Sequence, residues 1–136
     1  MRTGMKREYA VLESGAVYYT KDVYRMMDWF DRVLGWYVRT DCRDEEGRPI
    51  HAVASPAPIE TAALTLMPFT GIHLMKGEPQ RSAPALIRID NLSKLSEHIA
   101  CAGWTNRTEP EEMIWGGLQC DVETPDGGKL IFFQFD

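Results

Sequence analysis

Long apolar runs are missing from this chain. None approaches the roughly 18–20 residues that cross a bilayer, and the opening MRTGMKREYA has no apolar signal-peptide core, so a cytoplasmic protein without membrane contact is expected. A cationic surplus is missing too. Fifteen Lys and Arg stand against 20 Asp and Glu, and a formal charge of −5 argues against nucleic-acid binding, which needs cations to displace counterions. Cysteine is scarce: Cys42, Cys101 and Cys120 are odd in number and widely spaced, so neither a disulfide framework nor a zinc site is indicated and three reduced thiols are expected. The Gly-Gly pairs lack the strand-to-helix context of a phosphate loop. What remains is a chain of 136 residues, 44% hydrophobic and 26% charged, enough for one domain with a real core.

Two stretches of that chain repeat one pattern. Residues 15–36 read GAVYYTKDVYRMMDWFDRVLGW and residues 83–104 read APALIRIDNLSKLSEHIACAGW. Laid over one another, Asp22 falls on Asp90, Gly35 on Gly103 and Trp36 on Trp104. Each copy gives a strand (residues 16–20 and 85–89), an N-cap (Asp22 in the first, Asp90-Asn91 in the second) and a helix ended by glycine. Val23, Met26, Met27, Phe30, Val33 and Leu34 form the apolar face of the first helix; Leu92, Leu95, Ile99 and Ala102 form that of the second. Trp29 lies beside the first face and reads as packing or subunit contact.

After the first helix, residues 36–41 read as a strand and RDEEGR (residues 43–48) as a solvated hairpin tip. Three apolar runs follow, at 49–54, 62–67 and 72–75, separated by SPAP and PFTG; two of them complete the first sheet. In the second half, residues 104–108 read as a strand, EPEEM as a loop, 118–123 as a strand, TPDGG as a turn and 129–135 as a closing strand. The expected fold class is α+β: two βαβββ modules in tandem, forming a curled mixed sheet around a concave pocket. The boundaries are an N-terminal arm at 1–14, a first module at 15–76, a linker at 77–82 and a second module at 83–136.

YYTKDVYRMMDWFDRVLGW, IRIDNLSKLSEHIACAGW and WGGLQCDVETPDGGKLIFF resemble the vicinal oxygen chelate superfamily, which holds glyoxalase I, extradiol dioxygenases and bleomycin-resistance proteins. The resemblance spans roughly residues 15–135 and implies paired modules around a pocket, with a homodimer built across module edges. It also implies four metal-ligand positions on the first and last strands of each module. Here they fall on Gly15, Ala83, Ile131 and His73, of which only His73 can ligate. A catalytic metal needs three or more protein ligands, so no metal and no cofactor are expected, and the resemblance points to the non-metal, bleomycin-resistance-like branch.

If Gly15 and Ala83 mark the pocket-facing phase, alternation sends Val17, Tyr19, Ala85 and Ile87 inward, with His73, Met75, Lys129, Ile131 and Phe133. Apolar walls with few polar anchors suit an aromatic or amphiphilic small molecule. The candidate ligand-binding set is therefore Tyr19, Trp36, His73, Met75, Trp115, Ile131 and Phe133. Trp36 and Trp115 could stack on a flat ligand, though core packing is the commoner fate of a tryptophan. His73 is the one catalytic candidate, against the plainer reading of a hydrogen-bonded, half-buried histidine. His51 and His98 have weaker claims, and Cys120 reads as a small buried residue rather than a nucleophile. Arg39 and Arg88, near strand ends, could hold an acidic ligand or simply pair with carboxylates.

Three functions fit. The first is a metal-independent protein that binds or sequesters a largely apolar or aromatic small molecule. The second is a glyoxalase-like lyase, isomerase or dioxygenase with an unrecognised site around His73, aided by Tyr19 or Glu123. The third is a structural module whose hollow is filled by Trp115, Phe133 and Tyr19. The composition and the lost ligands favour the first.

Overall fold

The computed structural model describes residues 8, 13–59, 69–81 and 83–135. Strand β1 (Glu13–Thr20), helix α1 (Val23–Trp29) and strands β2 (Tyr37–Arg43), β3 (Pro49–Ser55) and β4 (Phe69–Lys76) make the first module. Strand β5 (Ala85–Arg88), helix α2 (Leu92–Cys101) and strands β6 (Glu111–Glu112), β7 (Gly117–Glu123) and β8 (Lys129–Phe135) make the second. Each module carries a four-stranded sheet of the same order, β1-β4-β3-β2 and β5-β8-β7-β6. In each, the first and last strands pair in parallel and the remaining pairs are antiparallel. The α+β class and the tandem βαβββ pattern are thus as expected. Hydrogen-bonded pairing divides into two sheets rather than one continuous sheet.

Among the runs at 49–76, the first and third supply β3 and β4; the run at 62–67 lies outside the described residues, as do 1–7 and 9–12 of the arm. Residues 13 and 14 of that expected arm belong to β1. The expected strand at 104–108 holds only an isolated bridge between Arg107 and Val122, and β6 forms instead inside EPEEM, which was expected to be a loop. Arg107 explains part of this. Its guanidinium donates to the Ser96 hydroxyl and the Trp104 carbonyl, tying this stretch to α2.

The helices show why the two copies do not overlay at one offset. The Asp22 carboxylate accepts from the Arg25 N–H at 3.0 Å and caps α1. In the second module, of the expected capping pair Asp90-Asn91, it is Asn91 whose side chain caps the helix, accepting from the Lys94 N–H at 3.1 Å. Both helices stop at a left-handed glycine, Gly35 (φ 72°) and Gly103 (φ 78°). The first copy therefore has one more residue between cap and stop, and Phe30–Leu34 takes it up as a π-helical turn. At the end of α2, the Trp104 N–H reaches the Ile99 carbonyl, the usual glycine-stop closure. At the end of α1, the Trp36 N–H reaches one residue further, to Phe30.

That extra residue shifts the strand phase of the second copy. Ala85 and Ile87, expected on the same face as Val17 and Tyr19, pack against the core and border the cavity between the modules, and Leu86 and Arg88 take the opposite face in register with Ile131 and Phe133. The position equivalent to Gly15, counted from the cap, is then Pro84 rather than Ala83. Pro84 offers a metal no donor either.

One core serves both modules. Met26, Phe30 and Val33 from the first helical segment join Ile72 and Leu74 from β4, Ile99 from α2, and Leu130 and Phe132 from β8. Trp29 sits edge-to-face on Phe30 and on Trp104, with centroids 5.0 and 5.5 Å away. Two polar links cross the same boundary. The Arg25 guanidinium meets the Asp126 carboxylate at 2.7 Å. The Tyr18 hydroxyl donates to the Lys129 carbonyl at 2.6 Å and accepts from the Ala85 N–H at 3.1 Å, so one side chain joins β1 to both β5 and β8. Replacing Tyr18 by Phe strands both backbone groups, and a loss of about 1–3 kcal/mol is expected from urea denaturation.

Candidate functional site

Each sheet has one face on the shared core and one face turned away from it. On the first sheet, alternation from the core residues Tyr18 and Leu74 puts Val17 and Tyr19 beside His73 and Met75, in register across the β1–β4 pair. On the second, it puts Leu86 and Arg88 beside Ile131 and Phe133. Tyr19, His73, Met75, Ile131 and Phe133 thus lie on the faces turned from the shared core, in two groups, one per module; beside His73, Val53 is fully buried in a small second cluster with Ile59.

Trp115 lies in the turn between β6 and β7. Its ring leans over Gly117, where an added Cβ would come within 2.0 Å of the indole, so glycine is what leaves the ring its place. There it meets Phe133 and Phe135 edge-to-face, with centroids 6.2 and 5.2 Å away. The Arg88 guanidinium lies 4.6 Å from the Phe135 ring centre, a cation–π contact. The cluster remains open to solvent, with Trp115 42%, Phe135 47% and Leu86 67% exposed.

Trp36 stands elsewhere. Only 8% exposed, it packs on Phe30 and Phe132 in the core. One edge still borders a cavity of about 330 Å³ between the modules, lined also by Gly15, Ala16, Gly71, Leu86 and Ile87. Of the seven candidate ligand residues, it alone borders that cavity.

The metal position at Gly15 is closed as well as empty of donors. Gly15 pairs with Gly71, and a Cβ there would lie 1.6 Å from the Gly71 carbonyl oxygen. No side chain fits that corner without moving β1 off β4.

His73 has a partner that strand phase alone did not suggest. His51 on β3 lies diagonally across from it, and its Nε2 is 2.7 Å from His73 Nδ1. Tyr19 stands one pair further along β1, whereas Glu123 belongs to the other module, at the exposed end of β7. Asp41 completes the group. It is the extra residue of a β-bulge between Thr40 and Cys42, and bulges re-aim side chains. Its carboxylate takes a 2.8 Å ion pair from Arg39 and joins His51 and His73 in a cluster whose ligand atoms all lie within 4.8 Å. Arg39 thus holds a surface carboxylate, one of the two roles expected of it.

Cys120 fits the reading of a small buried residue. Burial pushes the Cys120 thiol up to about 11, while Cys42 and Cys101 are exposed. Two thiols per native chain should be alkylated by iodoacetamide at pH 7.5, and the third only after denaturation. The unfolded thiol ionises near its ordinary 9.0 and the folded one near 11. Its stabilising contribution is therefore complete below pH 9 and lost as the pH rises toward 11, which pH-dependent urea midpoints would show.

With this geometry in hand, the relatives are informative. A bleomycin resistance protein domain model matches residues 15–77. A glyoxalase-related enzyme from Clostridium phytofermentans is similar over 96% of this chain and 100% of its own, at 34% identity and a TM-score of 0.84. The chain belongs to the vicinal oxygen chelate superfamily, the glyoxalase, bleomycin-resistance and dioxygenase group. More distant structures share the fold. A bleomycin-binding protein from Streptomyces verticillus, solved with copper(II)-bleomycin, is 17% identical over 94% of this chain and 99% of its own, with a TM-score of 0.68. A bleomycin resistance determinant encoded on the transposon Tn5 is 16% identical over 90% of this chain and 97% of its own, with a TM-score of 0.67. No curated protein matches the chain in sequence.

Proposed function

We propose that this protein sequesters a small, largely apolar or aromatic molecule, and does so without a metal at the four positions its superfamily uses. The open aromatic cluster of Trp115, Phe133 and Phe135, flanked by Leu86 and Arg88, carries this reading. Isolated exposed apolar residues are ordinary, but a contiguous group with a cation at its edge matches a flat, partly polar ligand. The collision at Gly15 removes one metal corner, and Pro84 and Ile131 remove two more. Bleomycin-binding relatives with this fold support the same class of activity.

The ligand site is completed by a second copy of the chain. Each open face is half a wall, with Val17 and Tyr19 on one and Leu86, Trp115 and Phe135 on the other left partly exposed. A homodimer that sets a first-module face against a second-module face would close both. Sedimentation at micromolar concentration should give a dimer.

In this reading His73 is the polar anchor on the first-module wall. His73→Ala is expected to weaken ligand binding about tenfold, the worth of one buried hydrogen bond, with the urea midpoint nearly unchanged. Equal affinity in parent and variant would remove His73 from the site.

A further inference from the structure

We infer that Asp41, His51 and His73 form a binding site for a divalent first-row cation of the zinc class, built on one module and sharing only His73 with the superfamily's four ligand positions. Three donors, two imidazoles and a carboxylate, converge there from three adjacent strands, β2, β3 and β4. Two imidazole nitrogens face each other at 2.7 Å with their rings 4.9 Å apart. At that distance both nitrogens cannot carry a proton; one donates and the other accepts, so a single proton sits between two lone pairs. A cation can take that proton's place. Two nitrogens bound at about 2.0–2.1 Å to a tetrahedral ion stand roughly 3.3 Å apart, so the imidazoles need to open by only about 0.6 Å.

Asp41 supplies the third donor and the negative charge. One of its oxygens takes the Arg39 bond, which fixes the carboxylate and leaves the second oxygen to coordinate. Two imidazoles and a carboxylate suit zinc, copper(II), nickel or cobalt(II) rather than magnesium or calcium, which prefer all-oxygen sites. Three protein ligands leave at least one coordination position open. His51 and His73 are partly buried, with access to solvent. His73 is the sole residue shared with the superfamily's four positions; Asp41 and His51 come from the two middle strands of the chain order, which that scheme does not use.

Cobalt(II) titration of the purified full chain, followed by visible absorption, tests this without reference to any organic ligand. The parent should take one equivalent per chain and develop the stronger d–d bands of a four- or five-coordinate nitrogen–oxygen site. Loss of an outer-sphere partner alone costs about 10–100-fold in affinity, so His51→Ala should weaken binding by at least about 100-fold. Asp41→Asn should weaken it by roughly tenfold or more, and His98→Ala should leave it unchanged. Imidazole ¹⁵N spectra of the unaltered protein give a second readout that needs no variant: zinc should move the His51 and His73 signals and spare His98. Undiminished binding by His51→Ala would overturn the site. So would a cobalt–thiolate charge-transfer band, or shifts confined to His98.

Discussion

Phe30→Ala is expected to cost about 3–5 kcal/mol, the range for deleting a fully buried aromatic ring. Phe30 is completely buried, and it touches both neighbouring indoles, Trp29 at 5.0 Å edge-to-face and Trp36 at 5.4 Å tilted. It also begins the π-helical turn, and its carbonyl accepts the Trp36 N–H that closes the helix. Backbone widening at this point leaves little freedom for the surroundings to collapse into the void. Phe30→Leu keeps most of the volume and should cost no more than about 1.5 kcal/mol. The core around Phe30 draws on both modules, so the loss should appear as one cooperative transition at lower urea, monitored alike by tryptophan fluorescence and far-ultraviolet circular dichroism. Two separated transitions would show that the modules unfold independently and that the shared core does not couple them.

Trp115→Ala should have the largest effect on ligand binding. The indole is the widest flat surface on the open face of the second module, and Phe133 and Phe135 hold it from two sides. Aromatic anchors of this kind typically carry 2 kcal/mol or more of a binding energy, so affinity should fall by about 30-fold or more. Stability should change little, because the ring is 42% exposed and stands outside the shared core. Trp115→Phe should recover part of the affinity. Tryptophan quenching by a fused-ring aromatic compound, compared across the three proteins, reads this directly.

Much of the architecture was legible in the sequence because it was written twice. The Gly-Trp helix stops and the apolar periodicity placed both helices, and the alternation of β1, β4 and β8 separated Val17, Tyr19, His73, Met75, Ile131 and Phe133 from the residues that face the shared core. The phase of β5 was not legible. A one-residue π turn leaves no mark in a 3.6-residue pattern, so aligning on the glycine stops set Asp22 against Asp90 rather than Asn91 and assigned Ala85 and Ile87 to the face of Val17 and Tyr19. Trp36 meets both of its expected descriptions: it packs in the core between Phe30 and Phe132, and one edge borders the cavity between the modules.

The His51–His73 contact and the approach of Asp41 were also hidden. They depend on which strands neighbour β4 and on a bulge at Asp41, and neither is encoded in local periodicity. A sheet-order assumption would have exposed the histidine pair, since β3 returns antiparallel beside β4 and brings position 51 diagonal to position 73. The bulge leaves no mark in the sequence pattern.

The protein is proposed to hold a small aromatic molecule and to leave it unchanged. The most direct test is native mass spectrometry of the full chain incubated with metal-free bleomycin and a panel of fused-ring aromatic compounds, followed by chromatography of the released compound. A complex with one compound per chain is expected at low micromolar concentration, with that compound recovered chemically intact. Recovery of an isomerised, cleaved or oxygenated product, or the absence of any complex across the panel, would contradict the proposal.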